Sequence, residues 1–155
     1  MSGADNELSV TCLVEAPRAI CWKVWVDLKD EWFCPKPWRA QVIAQDLRPG
    51  GRSAVQMFGP EGEDTGPMEG VFLEVVPNAL AVTTDAYAAG WVPQTPFITT
   101  IWQFEDEGDG TRVTATARHW DAEAKARHEA MGFHPGWDMM LAQFKALSER
   151  SAASA

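Results

Sequence analysis

No window of this chain is apolar enough to span a membrane, and no CxxC pair, internal repeat or linker interrupts it. Cationic residues are scarce: 13 Lys and Arg against 22 Asp and Glu leave a formal charge of −9. A surface of that sign repels phosphate backbones and anionic headgroups, so neither nucleic acid nor a membrane is an expected partner. The cysteines are Cys12, Cys21 and Cys34, an odd number without metal or redox spacing, which suits free thiols in a reducing compartment. The opening residues, Met1 to Glu7, are acidic and lack the apolar run of a secretory leader, so a cytoplasmic location is expected. Tyrosine occurs once, whereas tryptophan occurs eight times. Indole rings bury much area each, and they serve either to fill a core or to line a cavity.

What is present is the pattern of one domain, expected over 8–150 with flexible ends at 1–7 and 151–155. A chain of 155 residues buries a full core without disulfides or metals. Leu8 to Glu15 alternates as a half-buried strand, and Pro17 is placed to open a helix in which Ile20, Cys21, Val24, Trp25 and Leu28 recur at helical spacing. Asp30 to Phe33 adds a second short helical turn, which Pro35 and Pro37 end. Strands are then expected at Arg39–Asp46, Arg52–Phe58, Met68–Val76, Leu80–Asp85, Phe97–Glu105 and Thr111–Trp120. In the fourth of the seven, Val71, Leu73 and Val75 are expected on one face and Phe72, Glu74 and Val76 on the other. Pro49-Gly50 between the second and third fits a type II turn. Asp106 to Gly110 reads as the turn of the last hairpin. A helix from Asp121 to Met131 stops at Gly132. The final helix, with Pro135 in its first turn, carries Trp137, Met140, Leu141, Phe144 and Leu147 along one stripe.

This order predicts an α+β, helix-grip fold: a curved seven-stranded antiparallel sheet around a long C-terminal helix, with two short helices after the first strand. In the last strand Val113, Ala115, Ala117 and His119 share the inner face, and the small alanines leave room. The candidate wall of the resulting cavity is Trp25, Trp32, Trp38, Trp102, Trp137, Met140, Leu141 and Phe144. The irregular Ala86 to Pro96 segment, with Tyr87 and Trp91, is the expected rim and point of access.

His119, His128 and His134 cluster in the last third, with Asp121 and Glu123 nearby. Their spacing matches no zinc motif, so neither a metal nor a cofactor is expected. His119, on the inner face, is the candidate acid or base, with Tyr87 and Glu69 as possible partners. The alternative is a hydrogen-bonded histidine fixing the junction between strand and helix. Cys34 is either a reactive thiol or, like most free cysteines, a buried and inert one. Arg48-Pro49-Gly50-Gly51 lacks the GKS or GKT ending of a phosphate loop and reads as a turn.

Several stretches together resemble the Hsp90 ATPase activator homologue 1-like (AHSA1-like) family of the START-like, or SRPBCC, superfamily. They are Ala16-Pro17-Arg18, Trp32 to Trp38, Asp46 to Gly51, Gly70 to Val75, Arg118 to Asp121, and His128 to Trp137. The resemblance implies a deep apolar cavity but not one activity, because relatives include lipid carriers, polyketide cyclases, hormone receptors and chaperone regulators. The expected function is binding of a hydrophobic or amphipathic small molecule between sheet and C-terminal helix. Two alternatives stand beside it: a cyclase- or dehydratase-type enzyme using His119, and an Hsp90-type interaction module, for whose additional N-terminal domain these residues have no room. A homodimer through an edge strand, Leu8–Glu15 or Arg39–Asp46, is a further possible partnership.

Overall fold

A computed structural model describes residues 3–154. Seven antiparallel strands form one curled sheet: β1 (Glu7–Val14), β2 (Arg39–Gln45), β3 (Arg52–Phe58), β4 (Met68–Val76), β5 (Leu80–Thr84), β8 (Ile98–Glu107) and β9 (Gly110–His119). Between β5 and β8 lie the two short strands β6 (Tyr87–Ala88) and β7 (Val92–Pro93), which pair with each other. The sheet order is β1-β9-β8-β5-β4-β3-β2, so the two strands expected at edges, β1 and β2, are the edges. Helices α1 (Arg18–Asp27) and α2 (Lys29–Trp32) follow β1, and α3 (Ala122–Ala130) and α4 (Phe133–Ala153) close the chain.

The alternation expected of the last hairpin holds: Val113, Ala115 and Ala117 are fully buried and His119 nearly so, while Arg118 is exposed. The turn is tighter than the expected five residues. Glu107 pairs with Gly110 across Gly108 and Asp109, and Gly108 has the positive φ of 59° that such tight hairpins favour. Between β2 and β3, Gly51 N–H donates to Arg48 O at 2.8 Å across Pro49 and Gly50, whose φ is +81°. That is the type II turn the two residues predict.

Strand β4 departs from simple alternation. Val71 and Phe72 are both fully buried and Leu73 is 43% exposed, because the register shifts between Phe72 and Glu74. One extra residue moves every later side chain to the opposite face, so Phe72 and not Leu73 joins the core.

At the helix ends, Pro17 precedes α1 as its cap rather than forming its first residue, and its carbonyl accepts from Ile20 and Cys21 N–H. The Asp121 side chain caps α3 by accepting from Ala124 N–H at 2.8 Å. Regular elements extend into both expected tails. Gly3–Asn6 forms a 3-10 turn, β1 starts at Glu7, and α4 runs through Ala153. Of the expected tails, only Met1, Ser2 and Ala155 lie outside the described residues.

The helix α4 crosses the concave face near β1 and α1. Met140, Leu141 and Phe144 are buried there, with Trp137 and Leu147 partly so. Phe144 meets Trp32, Trp102 and Phe104 edge-on or tilted, with ring centroids 4.9, 5.9 and 6.3 Å away. Gln143 clamps α4 to the segment after α2: its amide donates to the carbonyls of Trp32 and Cys34, and its Oε1 accepts from Lys36 N–H. The room left by Ala115 and Ala117 is therefore taken up by core side chains. The sheet is filled under β1, β9 and part of β8, and hollow under β3, β4 and β5.

Candidate functional site

The hollow is a cavity of about 430 Å³. Two alternating triplets, Ser53, Val55, Met57 on β3 and Ile98, Thr100, Trp102 on β8, give it a wall because every second side chain of a strand shares a face. Met68, Glu69 and Gly70 of β4 and Thr83 and Thr84 of β5 continue that wall. On the other side stand Trp137 and Met140 of α4, His128 of α3, Phe97, and the Phe33 to Pro35 segment. Gly70 has a packing reason: a Cβ there would come within 2.6 Å of Thr84 O. Met68, 39% exposed, marks a place where the cavity meets the surface.

Of the aromatic and apolar residues expected on this wall, Trp25, Trp102, Trp137 and Met140 are on it. Leu141 and Phe144 are buried in the filled half of the core instead. Trp32 is buried in the core against Trp102 and Phe144, and Trp38 lines a separate outer groove of about 670 Å³ with charged Asp30, Glu31, Lys36, Arg39 and Arg150. Tyr87 and Trp91 do not form a rim. Their segment folds into the β6–β7 hairpin, in which the two rings meet edge-on, and Trp91 packs over the Gly50 turn. Gln94 ties its far end down by donating to the carbonyls of Glu69 and Asp85, both at 3.0 Å. The segment expected as the rim is thus a short hairpin away from the cavity, with Trp91 largely exposed.

The histidines are also arranged differently from expectation. His119 lies behind the wall, and its neighbour His128 lines the cavity. His119 Nδ1 is 2.8 Å from the carbonyl oxygen of Asn6, so that nitrogen carries the proton and donates. His119 Nε2 then accepts, at 2.8 Å, from Nδ1–H of His128. Burial first, and the adjacent His119 second, push the His128 imidazole down to about 4, which keeps it neutral at pH 7. Its Nε2 is left as an acceptor. His119 joins strand to helix and N-terminal turn, as its hydrogen-bonding alternative has it. His134 is exposed, and among the described residues no group of His, Cys, Asp and Glu has the arrangement to hold a metal.

The polar wall residues differ in how well they are satisfied. Arg52 donates twice to Glu69, at 2.9 and 2.6 Å, and holds its carboxyl below the usual range. Asp85 accepts from the N–H groups of Phe97 and Ile98. Thr83 and Thr100 hydrogen-bond each other. Cys34 is buried on the wall, and burial pushes its thiol up to about 11, the inert form of its two readings.

Lys29 was not among the expected residues. It is 6% exposed, lies on the cavity wall, and holds its ammonium 3.4 Å from the centroid of the Trp25 ring. Nζ donates to Gln45 Oε1 at 2.6 Å, and the Gln45 amide donates onward to Val26 O. Burial alone drives this lysine from 10.5 down to about 7. Its signal in the sequence was the spacing Cys21, Trp25, Lys29, Trp32, which keeps a charge in phase with the apolar residues of the two short helical segments.

Residues 15–149 match the family described as Activator of Hsp90 ATPase homolog 1-like protein. A crystal structure of a protein from Nitrosomonas europaea is 33% identical, with a TM-score of 0.88, covering 97% of this chain and 98% of that one. A crystal structure from Mycobacterium smegmatis is 28% identical, with a TM-score of 0.76 and coverage of 94% and 92%. A solution structure from Arthrobacter aurescens, 19% identical with a TM-score of 0.81, covers 97% and 90% and shares the fold. No curated protein matches the chain.

Proposed function

The chain belongs to the Activator of Hsp90 ATPase homolog 1-like family, within the START-like superfamily, and from that premise we propose that it binds a hydrophobic or amphipathic small molecule between sheet and C-terminal helix. The observation that carries this reading is the 430 Å³ cavity under β3, β4 and β5, of a size ordinary for small-molecule sites and walled mainly by apolar side chains. Cytoplasmic residence goes with the proposal and is supported by three free cysteines. Among the described residues, no helix is long and apolar enough to cross a membrane.

Native mass spectrometry of protein purified from its own organism, compared with a denatured sample, tests the reading. A retained, stoichiometric small molecule supports it. A folded, monodisperse and empty protein counts against it.

Two other readings each rest on an observation. Acid–base catalysis in the same cavity is supported by two titratable side chains, Lys29 and His128, lining it. Under that reading, the retained molecule is chemically converted on incubation with wild type and not with His128→Phe. Interaction with a chaperone is supported by the family's description. Its test is stimulation of purified Hsp90 ATPase by the full chain, and no stimulation excludes it.

A further inference from the structure

We propose that the cavity selects an amphiphile with a carboxylate head, held at Lys29 with its tail along the apolar wall. The inference rests on the small-molecule reading above and names the class of ligand. Three observations carry it. Lys29 is a buried cation facing the cavity, and among the described residues no carboxylate lies beside it. Of its three N–H donors, one is used by Gln45 Oε1, while the Trp25 ring covers another side. The adjacent Trp25 indole N–H is buried without any acceptor.

This corner therefore holds donors and a charge but too few acceptors. A buried cation without a counter-ion is unfavourable, and an arriving carboxylate supplies both the charge and the lone pairs. The acidic wall residues do not do so. Glu69 is engaged by Arg52, and Asp85 by the backbone of Phe97 and Ile98. An alkyl tail meets Val55, Met57, Ile98, Trp102, Trp137 and Met140. The protonation of Lys29 agrees with this role, since an anion beside the ammonium favours its charged form.

The test is calorimetric titration of the full chain with three chain-matched probes: decanoate, decanol and decylamine. At about pH 6, wild type is expected to bind decanoate at least tenfold more tightly than decanol, and decylamine most weakly. Raising the pH to about 9 is expected to reduce decanoate affinity tenfold or more and leave decanol unchanged. Burial holds the Cys34 thiol up at about 11, Arg52 holds the Glu69 carboxyl low and burial holds His128 down at about 4, so of these wall groups and Lys29, Lys29 is the one whose charge changes as the pH passes about 7. In Lys29→Met, decanoate and decanol are expected to bind within about twofold of each other. Equal affinity of wild type for decanoate and decanol overturns the carboxylate inference and leaves the cavity reading standing. Failure of all three probes to bind overturns both. The wild-type comparison decides even where the variant does not fold.

Discussion

Replacing Lys29 by methionine is expected to make the protein more stable, by about 1–2 kcal/mol at neutral pH. The side chain is almost fully buried, and its ammonium is pushed from 10.5 down to about 7. At about 1.4 kcal/mol per unit, keeping that group in the folded protein at pH 7 costs on the order of 4 kcal/mol relative to a neutral side chain. Two contributions offset this. Loss of the hydrogen bond to Gln45, with its Oε1 left unpaired, costs about 1–2 kcal/mol. Loss of the cation over the Trp25 ring costs about 1 kcal/mol. Methionine keeps the unbranched stem and fills the same channel. The assay is urea unfolding of both proteins, read as a change in midpoint at constant slope. The pH dependence carries a second signature. Above about 7 the unfolded chain holds a proton on Lys29 that the folded chain lacks, up to 10.5, so wild-type stability rises with pH through that window. Below about 7 both states are protonated and the contribution is flat. Lys29→Met lacks the rise. Cys12 and Cys34, pushed up to about 11 from 9.0, act in the opposite sense at higher pH and cancel in the difference between the two proteins. A variant destabilised by 1 kcal/mol or more, with the same pH profile as wild type, would show Lys29 to be a structural residue and refute the reasoning.

Acid provides another test. His128 stays neutral in the folded protein down to about 4, whereas an unfolded histidine takes up its proton near 6.5. Stability is therefore expected to fall by about 2–3 kcal/mol as the pH drops through that interval, and His128→Phe to flatten the profile in urea melts. At the β2–β3 turn, Gly50→Ala is expected to cost about 1–2 kcal/mol, because φ is +81° and the new methyl meets the Trp91 ring at 2.9 Å. In a Trp91→Ala background the steric part disappears, and a double-mutant cycle of thermal midpoints measures it. Thr111→Val is expected to cost about 1–3 kcal/mol, since it leaves the buried Ala16 carbonyl without the hydroxyl that donates to it at 2.7 Å.

The seven strands, the four helices and the helix-grip arrangement were legible in the residues, because alternation and helical spacing are local properties. The expected and observed inner faces of β9 agree for the same reason. The misplacement of Leu73 has a different origin: a bulge is a property of register between two strands, and nothing in Phe72-Leu73-Glu74 announces it. Tyr87 and Trp91 were read as the cavity rim because loop aromatics suggest one, but a two-residue pairing and the close approach of Trp91 to Gly50 set them in a hairpin off the cavity. His119 was correctly placed on the inner face. Its exclusion from the cavity depends on α3 docking His128 in front of it, a contact between separate elements. Lys29 was passed over because a charged residue next to Leu28 and Asp30 is ordinarily assigned to solvent. Only the fold shows that Trp25 and Gln45 enclose it.

The most direct test of the account is an amide-shift map of the labelled full chain by NMR during titration with decanoate. The account predicts saturable shifts at residues around the cavity, among them Lys29, Val55, Thr84, Ile98 and Trp137, with a stoichiometry of about one. Shifts confined to the outer groove, at Trp38, Arg39, Leu147 and Arg150, or no saturable shifts at all, would contradict it.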